Sequence, residues 1–109
     1  MARTIKTVLV TGAAGRLGRA VRQSLSGEYM LRLSDIAGMA PAGPGEEVIV
    51  QNLADAEGVA ALCEGVDAVV HLGGQPREAD WATIKASNIE GVINLWEGAR
   101  QHGVDRVIF

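Results

Sequence analysis

The chain of 109 residues has room for one small α/β domain and not for a second full domain. Ten Lys and Arg against thirteen Asp and Glu give a net charge of −3, so no basic surface for a nucleic acid partner is expected. The sequence has neither the ~18 contiguous apolar residues of a membrane helix nor the apolar core of a secretory signal, so we expect a cytoplasmic protein without a membrane partner.

The first half of the chain predicts two strands separated by a helix. The run Ile5–Val10 is apolar, mostly β-branched and stopped by Thr11-Gly12, which predicts a short buried strand. A helix is predicted from Gly15 to Ser26, and a second strand from Tyr29 to Leu33. The apolar positions of the helix recur at a spacing of four residues, at Leu17, Val21 and Leu25.

The middle of the chain continues the alternation. Residues 37–45 hold two prolines and three glycines and predict a loop, after which Val48–Val50 predicts a third strand. Asp55 is a suitable N-cap for a helix that ends at Gly65 and carries Cys63, which as the chain's one cysteine is interpreted as a core residue. Asp67–Leu72 predicts a fourth strand covered on both faces.

A long helix is predicted from Asp80 to His102, with Gly103 as its stop, and a fifth strand from Arg106 to Phe109. Gly91 and Gly98 lie inside the helix, where each costs ~1 kcal/mol relative to alanine, so close packing or a ligand is expected to explain at least one of them. The residues predicted to face inwards are Trp81, Ile84, Ile89, Val92, Leu95, Trp96 and Ala99.

This alternation of strands and helices predicts an α/β fold. The expected architecture is a Rossmann-type, doubly wound parallel sheet with helices on both faces, of which residues 1–109 form the first four to five strands. Because the sequence stops inside a predicted strand, we expect it to be the N-terminal portion of a protein at least about twice as long.

The loop between the first strand and the first helix reads G-x-x-G-x-x-G, with glycine at Gly12, Gly15 and Gly18. Such a loop needs glycine for a tight turn, for close approach of backbone N–H groups to phosphates and for packing of the helix on the strand. A pyrophosphate is expected at this helix N-terminus.

Asp35 lies seventeen residues after Gly18, at the end of the second strand. A carboxylate at about this interval accepts hydrogen bonds from an adenosine ribose and repels a 2′-phosphate, which favours NAD over NADP. Arg16 in the glycine loop leaves NADP open as the alternative. A solvated loop acid is the other interpretation of Asp35.

The sequence resembles the extended short-chain dehydrogenase/reductase family, also called the NAD-dependent epimerase/dehydratase family, and within it the members that oxidise hexuronates. The segments that carry the resemblance occur in order along the whole chain: TGAAGRLG, LSDI, NLAD, DAVVHLGG and SNIEGVINLWEGARQHGVDRVIF. The resemblance implies an oxidoreductase that passes hydride from a sugar acid to NAD, with nucleotide-sugar epimerase or dehydratase as the alternative activity. It also implies a homodimer formed through helices on the sheet face, with the long helix as the candidate surface.

Carried over to this sequence, the resemblance implies a cofactor site along one edge of the sheet. It places Asp35 on the adenosine ribose, Asn52 at the adenine in place of the family's usual aspartate, and Asn88 near the active centre, where a capped or solvent-facing helix residue is the alternative. An asparagine carbonyl can accept the adenine amino group as a carboxylate does. The other implied cofactor residues are Gly12, Ala14, Gly15, Arg16, Leu17, Gly18, Leu53, Leu72, Gly73 and Gly74.

Two departures from the family pattern concern substrate and catalysis. Gln75 and Arg77 stand where a serine-containing segment is expected, and we interpret both as candidate substrate residues. The Tyr-x-x-x-Lys pair is absent, because Leu33 stands four residues after the one tyrosine, Tyr29. A non-catalytic NAD(P)-sensing protein and a stand-alone nucleotide-binding module therefore remain alternatives. His71 is interpreted as structural.

Overall fold

The computed structural model describes residues 4–74 and 80–109. Among them, five parallel strands form one sheet in the order β3-β2-β1-β4-β5. The strands are β1 (Thr7–Thr11), β2 (Met30–Asp35), β3 (Glu46–Val50), β4 (Ala68–His71) and β5 (Arg106–Ile108). This order is that of the first five strands of a doubly wound sheet, so the predicted fold class is confirmed.

The helices are α1 (Arg16–Leu25), α2 (Ala56–Cys63), α3 (Trp81–Ile84) and α4 (Gly91–Gln101). A π-helical turn at Lys85–Glu90 connects α3 to α4, so the single α-helix predicted over this stretch is interrupted. The strands differ from the prediction mainly at their ends: β2 extends to Asp35, and β3 begins at Glu46.

Each face of the sheet carries its own apolar core, because side chains of successive strand residues point to opposite faces. Val8 and Val10 join the core under α1, and Leu9 between them joins the core under α2 and α4. Helices therefore cover both faces, as predicted. The buried residues under α1 are Val8, Val10, Ala13, Leu31, Leu33 and Ala68; those under α2 and α4 are Leu9, Val59, Leu62, Cys63, Val66, Val69, Leu95 and Ala99.

The prediction of which helix residues face inwards was partly wrong. Leu95 and Ala99 are buried, but Trp81 is 67% exposed and Trp96 is 49% exposed. Ile89 is also exposed. On α1, Val21 and Leu25 pack on the core while Leu17 lies on the surface, because α1 begins at the sheet edge and its first turn extends past the core.

Gly91 and Gly98 are buried, and close packing explains both. A Cβ atom on Gly91 would lie 2.9 Å from the Cβ of Leu53, and one on Gly98 would lie 3.0 Å from the Cα of Ala60. Glycine at these positions allows α4 to pack tightly on α2 and on the turn before it. The expectation of close packing inside the helix is confirmed.

Two arginines fasten the β2–β3 side of the sheet. Arg22 of α1 makes a bidentate ion pair with Glu46, at 2.7 and 3.0 Å, and donates to the backbone oxygens of Ala40 and Pro41. The hydrogen bond from Arg22 lowers the pKa of the Glu46 carboxyl below its usual value. Arg32 donates to the carbonyl oxygens of Leu62 and Glu64 at the end of α2, where a cation complements the helix dipole. No helix in the described parts of the chain is long and apolar enough to cross a membrane.

Cys63 is buried under α4, and the structure predicts a chemically inert thiol. Burial raises the pKa of Cys63 to about 11, so little reactive thiolate forms near neutral pH. We expect iodoacetamide at pH 8 to label Cys63 at least about 100-fold more slowly in the native full-length protein than in urea. Mass spectrometry of the peptide that contains Cys63 measures both rates. Equal rates in the two conditions would contradict this packing of α2 against α4.

Candidate functional site

The carboxyl ends of β1 to β4 meet at one edge of the sheet because these strands are parallel, and a cleft runs along that edge. Segments from four strand ends and the π-helical turn form its walls. The lining residues are Thr11, Gly12, Gly15, Ser34, Asp35, Ile36, Gln51, Asn52, Leu53, Leu72, Gly73, Gly74 and Ser87.

The three loop glycines have different surroundings. Gly12 adopts φ +68°, and a Cβ atom there would lie 2.6 Å from the backbone of Leu72. A Cβ atom on Gly18 would collide with the backbone oxygen of Gly12. At Gly15, φ is −75° and the nearest atom to a Cβ would be 3.4 Å away. The protein itself therefore requires glycine at Gly12 and Gly18. At Gly15 a Cβ atom would make only an ordinary contact with the Gly12 oxygen, and the missing side chain widens the cleft there.

The N-terminus of α1 lies at this widened part of the cleft and has no side-chain cap, because its N-cap residue is Gly15. The first intrahelical hydrogen bond of α1 is donated by Arg19 to Gly15. In contrast, Asp55 caps α2 by accepting from Gly58, and Asp80 caps α3 by accepting from Thr83. The N–H groups of the first turn of α1, with the positive end of its dipole, are thus directed to the cleft and have no acceptor within the described part of the chain.

Asp35 ends β2 with both carboxylate oxygens held by backbone donors. Ala14 N–H donates to Oδ2 at 3.0 Å, and Ala37 N–H donates to Oδ1 at 3.0 Å. Ala13 N–H donates to the backbone oxygen of Ser34. These bonds tie the glycine loop to the end of β2 and hold the carboxylate at the cleft wall.

Thr11 and His71 form a buried pair under the floor of the cleft. The Thr11 hydroxyl oxygen accepts from the N–H groups of Leu72 and Gly73, each at 3.1 Å, so its own proton is left to donate to His71 Nδ1, at 2.6 Å. His71 is therefore the neutral tautomer with the proton on Nε2. Within the described residues Nε2 has no hydrogen-bond partner, and the ring meets Phe109 edge to face. These contacts fit the structural interpretation of His71.

Asn52 and Leu53 form the turn between β3 and α2. The side-chain oxygen of Asn52 accepts from Ala54 N–H at 2.9 Å, and the backbone oxygen accepts from Asp55 N–H. The backbone oxygen of Leu53 accepts from the Asn94 side chain of α4 at 2.8 Å. Leu53 is held against Gly73 and Gly91, where a Cβ atom on either glycine would lie within 3 Å of its side chain.

At the other end of the cleft, the π-helical turn places Ser87 in the wall and Asn88 next to Gly74. A Cβ atom on Gly74 would lie 2.8 Å from the Asn88 side-chain oxygen. π-Helical turns are rare in proteins, and those that occur often lie at functional sites. Here it brings Asn88 to the end of β4.

The structure brings most predicted cofactor residues together in this cleft, and their binding roles stay predictions. Ala14 lies one residue outside the lining and holds Asp35, Gly18 lies beneath the loop, and Arg16 and Leu17 are exposed at the start of α1. Gln75 and Arg77 fall outside the described residues. The sequence analysis missed Thr11, Ser34, Ile36, Gln51 and Ser87; the first four flank strand ends, so the rule that strand ends meet at one edge identifies them.

The model of the family described as "NAD dependent epimerase/dehydratase family" matches residues 8–109. This chain belongs to that family. Among curated members, it is 53% identical to a uronate dehydrogenase of Pseudomonas putida over 94% of its own length and 39% of the relative's. It is 47% identical to a uronate dehydrogenase of Agrobacterium fabrum over 96% of its length and 40% of the relative's.

Solved structures of the family superpose closely on this member. A mutant uronate dehydrogenase of Agrobacterium tumefaciens, complexed with NAD, matches with a TM-score of 0.90 and 47% identity over 95% of this chain and 40% of that one. A glucuronic acid dehydrogenase of Chromohalobacter salexigens matches with a TM-score of 0.91 and 41% identity over 97% and 40%. The chain therefore spans about two fifths of the length of these relatives.

The glycine geometry predicts opposite results for two alanine substitutions. Gly18→Ala places a methyl group against the Gly12 backbone and is expected to lower the free energy of unfolding by at least about 2 kcal/mol. Gly15→Ala places its methyl group at an ordinary contact distance of 3.4 Å from the Gly12 oxygen and at an ordinary backbone conformation, so its cost should stay within about 1 kcal/mol. Urea denaturation of the full-length protein measures both. Equal losses at the two positions would contradict the different roles of these glycines.

Burial of His71 predicts a loss of stability in acid. Desolvation lowers the pKa of His71 below its ordinary value of about 6.5, whereas the unfolded chain regains that ordinary value. Stability from the neutral imidazole is complete above about pH 6.5 and falls as pH drops towards the lowered pKa, by up to ~1.4 kcal/mol per pH unit.

We expect His71→Asn, which keeps an acceptor for Thr11, to reduce this pH slope in urea denaturation between about pH 7 and 5. The same substitution at His102, which lies after α4 and outside both cores, is the matched control. An unchanged slope in the His71 variant would assign the acid sensitivity to another group.

Proposed function

We propose that this chain is the dinucleotide-binding portion of a uronate dehydrogenase-like oxidoreductase that uses NAD. The observation that carries the proposal is the missing side chain at Gly15 beside the uncapped N-terminus of α1, since the protein's own packing would tolerate a Cβ atom there and its absence leaves room for an anion. The similarity to uronate dehydrogenases, one of them solved with NAD, supports the choice of cofactor and substrate class.

The residues of the cleft fit a dinucleotide in sequence along the sheet edge. The N–H groups of the first turn of α1, with Arg16 and Leu17, would hold the pyrophosphate, because aligned backbone donors and the helix dipole favour an anion there. Gly12 and Gly18 would shape this loop. Asp35 would accept hydrogen bonds from the adenosine ribose, and exposed Ile36 would offer an apolar surface to the base.

The nicotinamide half of the dinucleotide would extend along the end of β4. Leu72, Gly73 and Gly74 would line it, with Asn88 on the opposite side of the cleft. Gly73 and Gly74 allow this approach because neither carries a side chain. Leu53 would support the floor between the two halves, since it packs against Gly73.

The reaction we propose is oxidation of the C1 hydroxyl of a hexuronate, such as galacturonate or glucuronate, to an aldarolactone. NAD, when bound, accepts the hydride. This chain's residues would bind and orient the dinucleotide, and the Tyr-x-x-x-Lys pair that moves the proton is not in this sequence. The candidate roles of Gln75 and Arg77 in holding the sugar acid, the homodimer and the cytoplasmic location remain predictions.

The proposal predicts that NAD binds more tightly than NADP because of the Asp35 charge. We expect titration calorimetry of the full-length protein to give a Kd for NAD at least about tenfold lower than that for NADP. Asp35→Ala removes the ribose acceptor and the repulsion of a 2′-phosphate, so it should weaken NAD binding. The Kd for NADP divided by the Kd for NAD should fall by about tenfold.

Glu28→Ala is the matched control, because it removes an exposed carboxylate at the opposite end of β2. The ratio of the Kd for NADP to the Kd for NAD should be the same in the Glu28→Ala variant as in the unmodified protein. A folded protein that binds neither dinucleotide would refute the proposed function. A protein that binds both with equal affinity would refute only the role of Asp35.

A further inference from the structure

The connection between the parallel strands β2 and β3 contains no helix. A crossover between parallel strands is usually an α-helix that packs on one face of the sheet. Here the crossover consists of residues 36–45, which contain no helix and pass over the face that α1 covers. It begins at the cleft, where Ile36 lies in the wall, and ends where β3 begins. One end of the crossover is therefore part of the candidate site, and its shape depends on bonds to other elements.

Arg22 of α1 fastens the middle of this crossover. Its guanidinium donates to the backbone oxygens of Ala40 and Pro41, at 3.0 and 2.8 Å. The same group pairs with both carboxylate oxygens of Glu46, at 3.0 and 2.7 Å, and the two side chains are only 16% and 8% exposed. A guanidinium presents its donors in a rigid planar fork, so these four bonds define one position of the loop relative to α1 and β3.

Other contacts hold the crossover less closely. In the described part of the chain, the bonds donated by Arg22 are the only hydrogen bonds that join residues 38–42 to the rest of the protein. Ala37 and Gly43, on either side, donate to carboxylates near them in sequence. Met39 packs on the core under α1, but an unbranched thioether side chain adapts to many backbone positions. The conformation of the crossover therefore depends mainly on Arg22.

The first two residues of the crossover form the wall of the cleft next to β2. Ala37 N–H donates to Oδ1 of Asp35 at 3.0 Å, and the exposed side chain of Ile36 lines the cleft. A ligand that meets a mobile segment must order it on binding, and this ordering lowers the affinity. Because Arg22 already holds the crossover, this wall is formed before a ligand enters.

We propose that Arg22 is a positioning residue for the adenosine half of the dinucleotide. It does not line the cleft, and acts through the crossover by holding Ile36 and the Asp35 carboxylate in place. This inference rests on the proposed dinucleotide-binding function and adds to it a residue outside the cleft that determines affinity.

Arg32 provides the matched comparison. It lies on β2 and fastens the same side of the sheet from the opposite face, through Glu47 and the carbonyl oxygens of Leu62 and Glu64. None of these residues lines the cleft or belongs to the crossover. Loss of Arg32 therefore removes a comparable set of bonds without releasing the wall at Asp35.

The test measures Kd by titration calorimetry of the full-length protein for NAD and for ADP-ribose, which keeps the adenosine half and lacks the nicotinamide ring. We expect Arg22→Gln to raise both Kd values by the same factor, about five- to tenfold. Arg22→Lys, which keeps the charge without the fork, should raise them by a smaller factor. Arg32→Gln should leave both values within about twofold of those of the unmodified protein.

Hydrogen exchange measured by mass spectrometry reports on the crossover itself. Without ligand, the peptide that contains residues 36–45 should exchange at least about fivefold faster in the Arg22→Gln variant than in the unmodified protein. Its rate should be unchanged in the Arg32→Gln variant. A merely stabilising role of Arg22 would raise exchange throughout the protein and would not single out this peptide.

The remaining outcomes separate this inference from the proposed function. Unchanged Kd values in a folded Arg22→Gln variant, an equal loss in Arg32→Gln, or a loss of affinity for NAD alone would each show that Arg22 does not position the adenosine half. Should Arg22→Gln fail to fold, Glu46→Gln, which keeps Arg22 and removes the charge of its partner, is expected to raise both Kd values about threefold, and no rise would overturn the inference. If the folded, unmodified protein binds neither ligand, the proposed function itself fails.

Discussion

The close approach of the Gly12 turn to the end of β4 is the contact on which the rest of the site depends. A Cβ atom on Gly12 would lie within 2.7 Å of three backbone atoms of Leu72 and Gly73, so no other residue fits without moving β4. The Thr11 hydroxyl closes the same junction by accepting from Leu72 and Gly73, while its proton goes to His71. The N-terminus of α1 and the end of β4 are thereby held on either side of one cleft before any ligand enters.

The cleft presents positive potential mainly through backbone N–H groups, in a chain whose net charge is −3. Fixed backbone dipoles at a helix N-terminus need no reorganisation when an anion binds, whereas exposed arginine side chains lose rotamer freedom. The Asp35 carboxylate is held at the neighbouring strand end by two backbone donors. One region of the cleft thus favours phosphate and the adjacent region disfavours it, and under the proposed function this separation would select against a second phosphate on the ribose.

The sequence predicted the elements whose signals are local and strong. β1 and β4 were identified from contiguous apolar residues, and the glycine loop and Asp35 from their spacing, because these patterns follow directly from strand burial and phosphate geometry. The inward face of the long helix was predicted wrongly at Trp81, Ile89 and Trp96 for two physical reasons. The π-helical turn shifts the phase of the helix, so a single 3.6-residue period does not cover the whole segment. In addition, α4 packs through Gly91, Leu95, Gly98 and Ala99, of which the two glycines allow close approach to Leu53 and α2, while the larger Trp96 remains outside.

The orientation of the Asn52 amide shows why a residue's identity and spacing do not give its chemistry. From the sequence alone, asparagine offers either a donor or an acceptor to a ligand, and both interpretations are consistent with adenine. The orientation of the amide depends on a hydrogen bond from a residue two positions later, which exists only once β3 has ended in a turn and Asp55 has begun α2. The oxygen keeps a second lone pair and the NH₂ group keeps its donors, so both halves of the amide stay available at this wall of the cleft. The direction in which each half points is for this reason a property of the β3–α2 turn rather than of the side chain alone.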